Sequence, residues 1–177
     1  MTPLLALLVA AASAQSYPAP SLKVGDTALL FSLPALNEDA AMRAVARPHV
    51  ALADFTGVLP GFPASVVVVH FLRMSGGEAH LAALNRLHRR FANRGARFIA
   101  VLVDDGDLAS VSDWVEGQKL DFPVLRDNHQ IVVDRYGVLT FPMTFVIDGD
   151  GVIDAIGVPG PEIEASVDAL ILPFLKG

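Results

Sequence analysis

The chain has 177 residues, of which 53% are hydrophobic and 18% charged, and its formal net charge is −6. This length fits one domain with a buried core, and this composition excludes a largely disordered chain. The acidic balance argues against nucleic acid or an anionic membrane surface as a partner. Because the sequence contains no Cys, disulfides, thiolate catalysis, thiolate metal sites and a lipid-modified N-terminal cysteine are all excluded.

The chain opens with an apolar stretch. Its run from Pro3 to Ala12 leads into Ala12-Ser13-Ala14, the small-x-small pattern that signal peptidase accepts. We therefore expect residues 1–14 to be a signal peptide and the mature protein to be exported, either periplasmic or secreted. The alternatives are a buried N-terminal helix or a misassigned start codon. The run is too short to span a bilayer as a helix, so no stable membrane insertion is expected after cleavage.

Strand and helix patterns alternate along residues 23–177, which we predict to be one domain after a Pro-containing tether at 15–22. A continuous β-branched run at 66–71 is typical of a strand buried on both faces. Predicted strands lie at 66–71, 97–103, 145–147 and 152–156, the last two forming a hairpin, and predicted helices at 78–93, 110–117 and 162–175. Weaker patterns predict an apolar stretch at 29–33, a helical turn or an insertion at 37–49, an extended piece at 122–124 and a helical turn or two at 128–136. This order predicts an α/β sandwich with a central mixed β-sheet flanked by helices and an N-terminal extension.

The motifs of these elements resemble the thioredoxin-like superfamily. In chain order they read VGD…FSLP, VVVVHF, FIAVLVDD, DFPVLRD, YGV and TFPMTFVIDGDGVI. The likeness is to the exported thiol–disulfide oxidoreductases (TlpA-type) and their AhpC/TSA, or redoxin, relatives, and it covers about residues 23–175. It implies a cis-proline at Phe141-Pro142, beside the active site. Cis peptide bonds occur almost exclusively before proline. The alternative interpretation is an ordinary trans proline at a strand edge.

The loop before the long helix departs from the family pattern. Members of the family carry Trp-Cys-x-x-Cys there, where the helix N-terminus lowers the thiol pKa. Counting forward from the strand puts the two cysteine positions at Gly76 and Ala79, whereas counting back from the helix puts them at Met74 and Gly77. Together with Ser75, these residues form a degenerate active-site loop in which no catalytic residue is assigned.

Polar residues around this loop suggest a different chemistry. Ser75, Glu78 and His80 are close in sequence, and a Ser–His–acid hydrolase is one hypothesis for them. They straddle a loop-to-helix junction, where Ser75 is expected to cap the helix and Glu78 to favour its positive end. Structural capping is therefore the preferred interpretation.

No metal site or cofactor is predicted. His80 and His88 are about 12 Å apart along one helix at 1.5 Å per residue, too far to share an ion, and His70 ends the preceding strand. The Asp-rich turn at 148–154 has Val152 and Ile153 where a calcium loop requires an oxygen ligand and a glycine. We interpret that turn as a simple hairpin connection.

The basic residues predict a solvated surface. They are concentrated on the long helix and the strand after it, as Arg86, Arg89, Arg90, Arg94 and Arg97. Because no aromatic stacking pattern accompanies them, we expect local ion pairs on an exposed helix face and no nucleic-acid site. Trp114 is expected in the core.

Two functional hypotheses follow. In the first, the chain is an exported, redox-inactive thioredoxin-like module whose groove beside Phe141 and Pro142 binds a protein or peptide, with Met74 as an apolar wall. In the second, it is an enzyme of altered, non-thiol chemistry, or one that would carry an oxidoreductase label from its family. The absence of Cys excludes thiol redox chemistry, and the scattered polar residues give altered chemistry little support. The binding module is therefore favoured.

Overall fold

The protein is described by a computed structural model that covers residues 20–57, 62–159 and 162–175. The predicted signal peptide and residues 15–19 of the predicted tether lie outside these ranges. Within them, the strands are β1 Ser32–Pro34, β2 His49–Ala51, β3 Val66–Leu72, β4 Ala96–Leu102, β5 Val124–Arg126, β6 Met143–Asp148 and β7 Ile153–Gly157. The α-helices are α1 Glu38–Val45, α2 Gly77–Phe91, α3 Leu108–Gly117, α4 Ile131–Tyr136 and α5 Ile163–Ile171.

The central sheet of the described residues has five strands in the order β5-β4-β3-β6-β7. Strands β3, β4 and β5 run parallel, whereas β6 is antiparallel to both β3 and β7. Strand β3 lies at the centre of this sheet, and every one of its side chains is buried, as its unbroken β-branched run predicts. The expected mixed sheet flanked by helices is confirmed.

The sheet separates two hydrophobic clusters, because successive side chains of a strand point to opposite faces. Val67, Val69 and Phe71 of β3 belong to the first cluster, with side chains of α1, α4 and β6. Val66, Val68 and Leu72 belong to the second cluster, with side chains of α2, α3 and α5. Leu22, predicted to belong to the tether, packs against the first cluster. The packed chain therefore begins before residue 23.

Buried polar side chains fix two of the shorter elements. Asn37 donates from Nδ2 to the Phe122 carbonyl at 2.9 Å and accepts at Oδ1 from the Val124 amide at 2.8 Å, which ties the start of α1 to β5. Asp127 accepts at Oδ2 from the amides of Val132 and Val133, both at 2.9 Å, and so satisfies the first turn of α4.

Several boundaries differ from the predicted ones for local reasons. Residues 37–49, predicted as a helical turn or an insertion, form α1 and the first residue of β2, which pairs with β1 in a small antiparallel sheet. Helix α2 ends at Phe91, and a 3₁₀ turn then leads to Gly95, whose φ of 87° suits glycine. Trp114 is only partly buried, since its indole Nε1 donates to Oε1 of Glu78 at 3.3 Å near the surface.

The predicted hairpin is confirmed. Strands β6 and β7 pair antiparallel across the turn that contains Asp148. Asp148 Oδ1 accepts hydrogen bonds from the amides of Asp150 at 2.9 Å and Val152 at 2.8 Å. The carboxylate therefore stabilises the turn.

Candidate functional site

The candidate site is a cleft where the end of β3 meets the start of β6. These strands are antiparallel, with Phe71 opposite Met143, so the loop after β3 and the loop before β6 lie side by side. The cleft has a volume of about 360 Å³. We call it the Pro142 cleft, and it is lined by Leu72, Arg73, Ser75, Gly76, Gly77, His80, Phe141 and Pro142.

One wall of the Pro142 cleft is the start of α2. Gly76 is the N-cap, in the left-handed region with φ 77° and ψ 1°, and no side chain caps the helix there. The Gly77 amide donates to the Met74 carbonyl at 2.9 Å. The expected capping by Ser75 is therefore wrong, because the turn needs a positive φ that glycine adopts without strain. Gly76 is thus the N-cap and Ala79 the third residue of the helix, whereas Met74 and Gly77 are the two residues joined by that hydrogen bond.

The hydrolase hypothesis finds no geometric support. No hydrogen bond links Ser75, Glu78 and His80 within the described residues. Glu78 instead accepts from the Trp114 indole, and Nδ1 of His80 is buried without a hydrogen-bond partner. A Ser–His–acid triad needs a base in contact with both the nucleophile and an orienting acid.

The second wall of the Pro142 cleft is the side chain of Phe141, which is in contact with Arg73 from the loop after β3. The Arg73 guanidinium carbon lies 4.7 Å from the centroid of the Phe141 ring, a cation–π contact. Met74, predicted to form this wall, is partly buried against the second cluster, whereas Phe141 packs against the first. Arg73 takes the place predicted for Met74, because Leu72 and Met74 both pack with the second cluster and leave Arg73 to contact the Phe141 ring.

The backbone of Phe141 stands at the end of the cleft, directly before β6. The Phe141–Pro142 peptide bond is cis, and β6 begins at the next residue, Met143. Neither the amide nor the carbonyl of Phe141 takes part in a hydrogen bond within the part of the chain that the structure describes.

His70 lies beneath the cleft that His80 lines, and sequence reasoning did not bring these two histidines together. His70 is fully buried in β3, and its Nδ1 is 2.9 Å from Oγ1 of Thr144 on β6. Its ring stacks on His80 with centroids 5.3 Å apart, and Nε2 of His70 has no hydrogen-bond partner. Burial, and to a lesser degree the neighbouring His80, lowers the pKa of His70 to about 3. Burial also lowers the pKa of His80, so both imidazoles are neutral at pH 7.

The described residues contain no group of three or more His, Cys, Asp or Glu placed to hold a metal ion. None of the helices in the described ranges is long and apolar enough to cross a membrane.

Comparison with known proteins identifies the family. The AhpC/TSA family profile matches residues 24–156, well over half of the chain. The chain belongs to the AhpC/TSA family. The resemblance to thioredoxin-like proteins is thereby confirmed, and this AhpC/TSA member differs from the family pattern in having no Cys.

Relatives of this AhpC/TSA member include thiol–disulfide oxidoreductases. It is 35% identical over 74 residues to ResA of Bacillus anthracis, which is 42% of each chain. It is 32% identical over 79 residues to ResA of Geobacillus thermodenitrificans, which is 45% of each chain. The matches thus span less than half the length of these curated relatives.

Solved structures share the fold. A Chlorobium tepidum structure described as a thiol:disulfide interchange protein, DsbE, superposes with a TM-score of 0.72 at 24% identity, covering 88% of this chain and 100% of that one. The peroxidoxin BcpB of Mycobacterium tuberculosis superposes with a TM-score of 0.64 at 20% identity, covering 86% of this chain and 96% of that one. At these identities the likeness concerns the fold alone.

Proposed function

We propose that this chain is an exported, redox-inactive member of the AhpC/TSA family that binds an extended protein or peptide segment in the Pro142 cleft. The observation that carries the proposal is the unpaired backbone of Phe141, immediately before β6 and inside the cleft. An extended segment can pair with such a backbone as an added strand, and this mode of recognition needs no thiol.

The side chains around that backbone support binding of an apolar segment. Phe141 is half-buried and presents its ring to the cleft, with the exposed Arg73 above it. Leu139, two residues earlier, is 69% exposed and adds accessible apolar area to the same loop. The loop before β6 thus offers apolar contacts beside its free hydrogen-bonding groups.

The absence of thiols makes the redox part of the proposal directly testable. Purified chain is expected to show no disulfide reductase and no thiol peroxidase turnover, because both reactions begin with a thiolate. Turnover that follows the protein through purification and survives removal of contaminating redox proteins would contradict this.

Peptide binding is tested by selecting binders from a random peptide display library and measuring their affinity for variants. Arg73→Glu should weaken the binding of the selected peptides by about tenfold or more, equivalent to roughly 1.4 kcal/mol. The melting temperature should be unchanged because Arg73 is exposed. The matched control is Leu172→Glu, an exposed position at the C-terminal helix, where no change is expected. If the selected peptides bind both variants as they bind the wild type, the Pro142 cleft is not their site.

Export is supported by the apolar run and the Ala12-Ser13-Ala14 pattern. When the chain is produced in a bacterium with its native start, N-terminal sequencing of the exported fraction should begin at Gln15. Folded cytoplasmic protein that retains Met1 would overturn this part of the proposal and leave the peptide site unaffected.

A further inference from the structure

A second cleft lies at the other end of the sheet. We call it the His88 cleft. It has a volume of about 380 Å³, and its lining includes Arg43, Phe55, His88, Arg97, Phe98 and Asp121. Arg97 is paired with Val67 at the start of β3, whereas the Pro142 cleft begins at Leu72. At 3.3 Å per residue the two clefts are separated by roughly 16 Å of strand, so the His88 cleft is a separate site.

The walls of the His88 cleft are aromatic. Phe55 and Phe98 are 1% and 2% exposed and so present little surface to the cleft, whereas Phe62, which also lines it, is 45% exposed. The His88 ring packs edge-on to Phe98 with centroids 5.8 Å apart, and its centroid is 5.9 Å from that of Phe122. The ring of Phe62 is therefore the main aromatic surface available to a flat apolar group.

The rim of the His88 cleft has an excess of positive charge. Arg97 is held by hydrogen bonds from Nη1 to the carbonyls of Ala92 at 2.9 Å and Ala96 at 3.0 Å. Arg43 makes only a long contact, 3.5 Å from Nη2 to the Leu120 carbonyl. Within the described residues, neither arginine forms an ion pair with a carboxylate. Neither guanidinium group is thus neutralised by a direct ion pair, although Asp39 stands one helical turn before Arg43 on α1.

The acid in the lining does not offset these two charges. Asp121 is paired with Arg89, whose Nε lies 2.6 Å from its Oδ2. Two other arginines on α2 form the surface ion pairs expected of a solvated helix face. Arg86 pairs with Glu164, and Arg90 pairs with Asp168. Arg97 is the exception, because it lies on β4 and faces the cleft.

His88 adds a neutral polar group to the wall. Its Nδ1 is buried without a hydrogen-bond partner, and no other hydrogen bond of the imidazole occurs in the described structure. Burial lowers the pKa of His88, Asp121 opposes that effect, and the arginines Arg97, Arg89 and Arg43 add to it. The ring is therefore neutral at pH 7 and adds no charge to the cleft.

We propose that the His88 cleft binds a small hydrophobic carboxylate, with the carboxylate at Arg43 and Arg97 and the apolar body against Phe62. Guanidinium groups are suited to carboxylates because their donors match the geometry of the two oxygens. The volume of the cleft lies within the usual range for small-molecule sites. This site is independent of peptide binding at the Pro142 cleft.

The test uses 4-fluorophenylacetate as a probe, with binding followed by ¹⁹F NMR and mapped by amide shifts of ¹⁵N-labelled protein. The probe should bind saturably, and the largest amide shifts should lie around His88, Arg97 and Phe98. Arg43→Gln combined with Arg97→Gln should weaken binding by about tenfold or more. The matched control is Arg86→Gln combined with Arg90→Gln, two ion-paired arginines on α2, which should leave affinity within about twofold. The uncharged 4-fluorophenylacetamide should bind at least about tenfold more weakly than the acid.

Three results would overturn the proposal. One is the absence of saturable binding up to about 10 mM probe, beyond the range of a useful site. Another is equal binding by the wild type and the Arg43/Arg97 variant, and the third is a map of shifts centred on the Pro142 cleft. If the double variant fails to fold, the single Arg43→Gln variant gives the same decision, since this exposed side chain makes only one long contact.

Discussion

At the scale of single residues, His70 is the side chain that burial affects most clearly. It lies under the Pro142 cleft, with one nitrogen on Thr144 and the other without a partner. The folded pKa of about 3 is below the ordinary value of 6.5, chiefly because burial disfavours the charged imidazolium. Between these two values the unfolded chain binds a proton that the folded chain does not, so acid favours unfolding.

We therefore expect the free energy of unfolding to be at its full value above about pH 6.5 and to fall as the pH drops towards 3. In urea titrations between pH 7 and pH 5, the free energy of unfolding of the wild type should fall by roughly 1–2 kcal/mol more than that of His70→Gln. The exposed His129→Gln serves as the control and should follow the wild type. Equal pH dependence of the wild type and His70→Gln would show that His70 is not the group responsible.

The residues of the Pro142 cleft were predicted unevenly. Phe141-Pro142 and the loop around Gly76, which both line this cleft, could be predicted because the first directly precedes a buried strand and the second links a strand to the long helix. Met74 was assigned to the wrong face and Arg73 was missed, since the alternation of β3 has to be continued past Leu72 to tell them apart. The His70–Thr144 contact could not be predicted, because it depends on the register between β3 and β6, which are far apart in sequence.

At the scale of elements, the buried side chain of Asn37 ties the start of α1 to the sheet. Its side-chain amide group donates to the Phe122 carbonyl and accepts from the Val124 backbone amide. The Leu36 amide also donates to the Val124 carbonyl at 2.8 Å. Besides the apolar packing of α1 in the first cluster, the junction with β5 thus includes buried polar groups, which are costly to leave unpaired.

Asn37→Ala should accordingly lower the free energy of unfolding by roughly 2–3 kcal/mol, because it leaves a buried carbonyl and a buried amide without partners. Chemical denaturation with an unchanged m-value would measure this loss. Asn128→Ala, at an exposed position after β5, should change stability by less than about 0.5 kcal/mol. A loss below that level for Asn37→Ala would mean that water replaces both hydrogen bonds.

Element prediction succeeded where a periodic pattern was long and failed where it was short. Strand β3 and helix α2 were recognised within one or two residues, since each buries a continuous run or a regular apolar stripe. The β1–β2 pair was missed because three-residue strands carry too few alternations to be distinguished from loops.

At the scale of the whole molecule, the N-terminal segment is fastened to the body of the domain. Gly137 ends α4 in the left-handed region with φ 66°, and a Cβ added there would lie 2.4 Å from the Ser21 amide nitrogen. Leu22 packs against the first cluster beside it. The close approach of these two backbones needs a residue without a side chain.

Gly137→Ala should therefore destabilise the protein by more than about 1 kcal/mol and displace the segment around Ser21. Limited proteolysis is expected to cut near Ser21 faster in this variant. Gly117→Ala, at the end of α3 where an added Cβ meets no atom within 4 Å, should be neutral or slightly stabilising. If Gly137→Ala has the same stability and the same proteolysis rate as the wild type, Ser21 is not held by this contact.

The overall architecture was predictable because the motif order, the buried strands and the hairpin agree with one another. The attachment of the N-terminal segment was not, since it rests on one glycine and one partly buried leucine that no periodic pattern reveals.

Positions 76 and 79 are both exposed, and neither side chain belongs to the first or the second cluster. The residue at 79 consequently has little influence on whether the chain folds, whereas position 76 is restricted by its φ of 77°, which glycine adopts without strain. A substitution at 79 leaves both hydrophobic clusters intact, so the chemistry that this first turn presents to solvent is separate from the packing that holds the sheet.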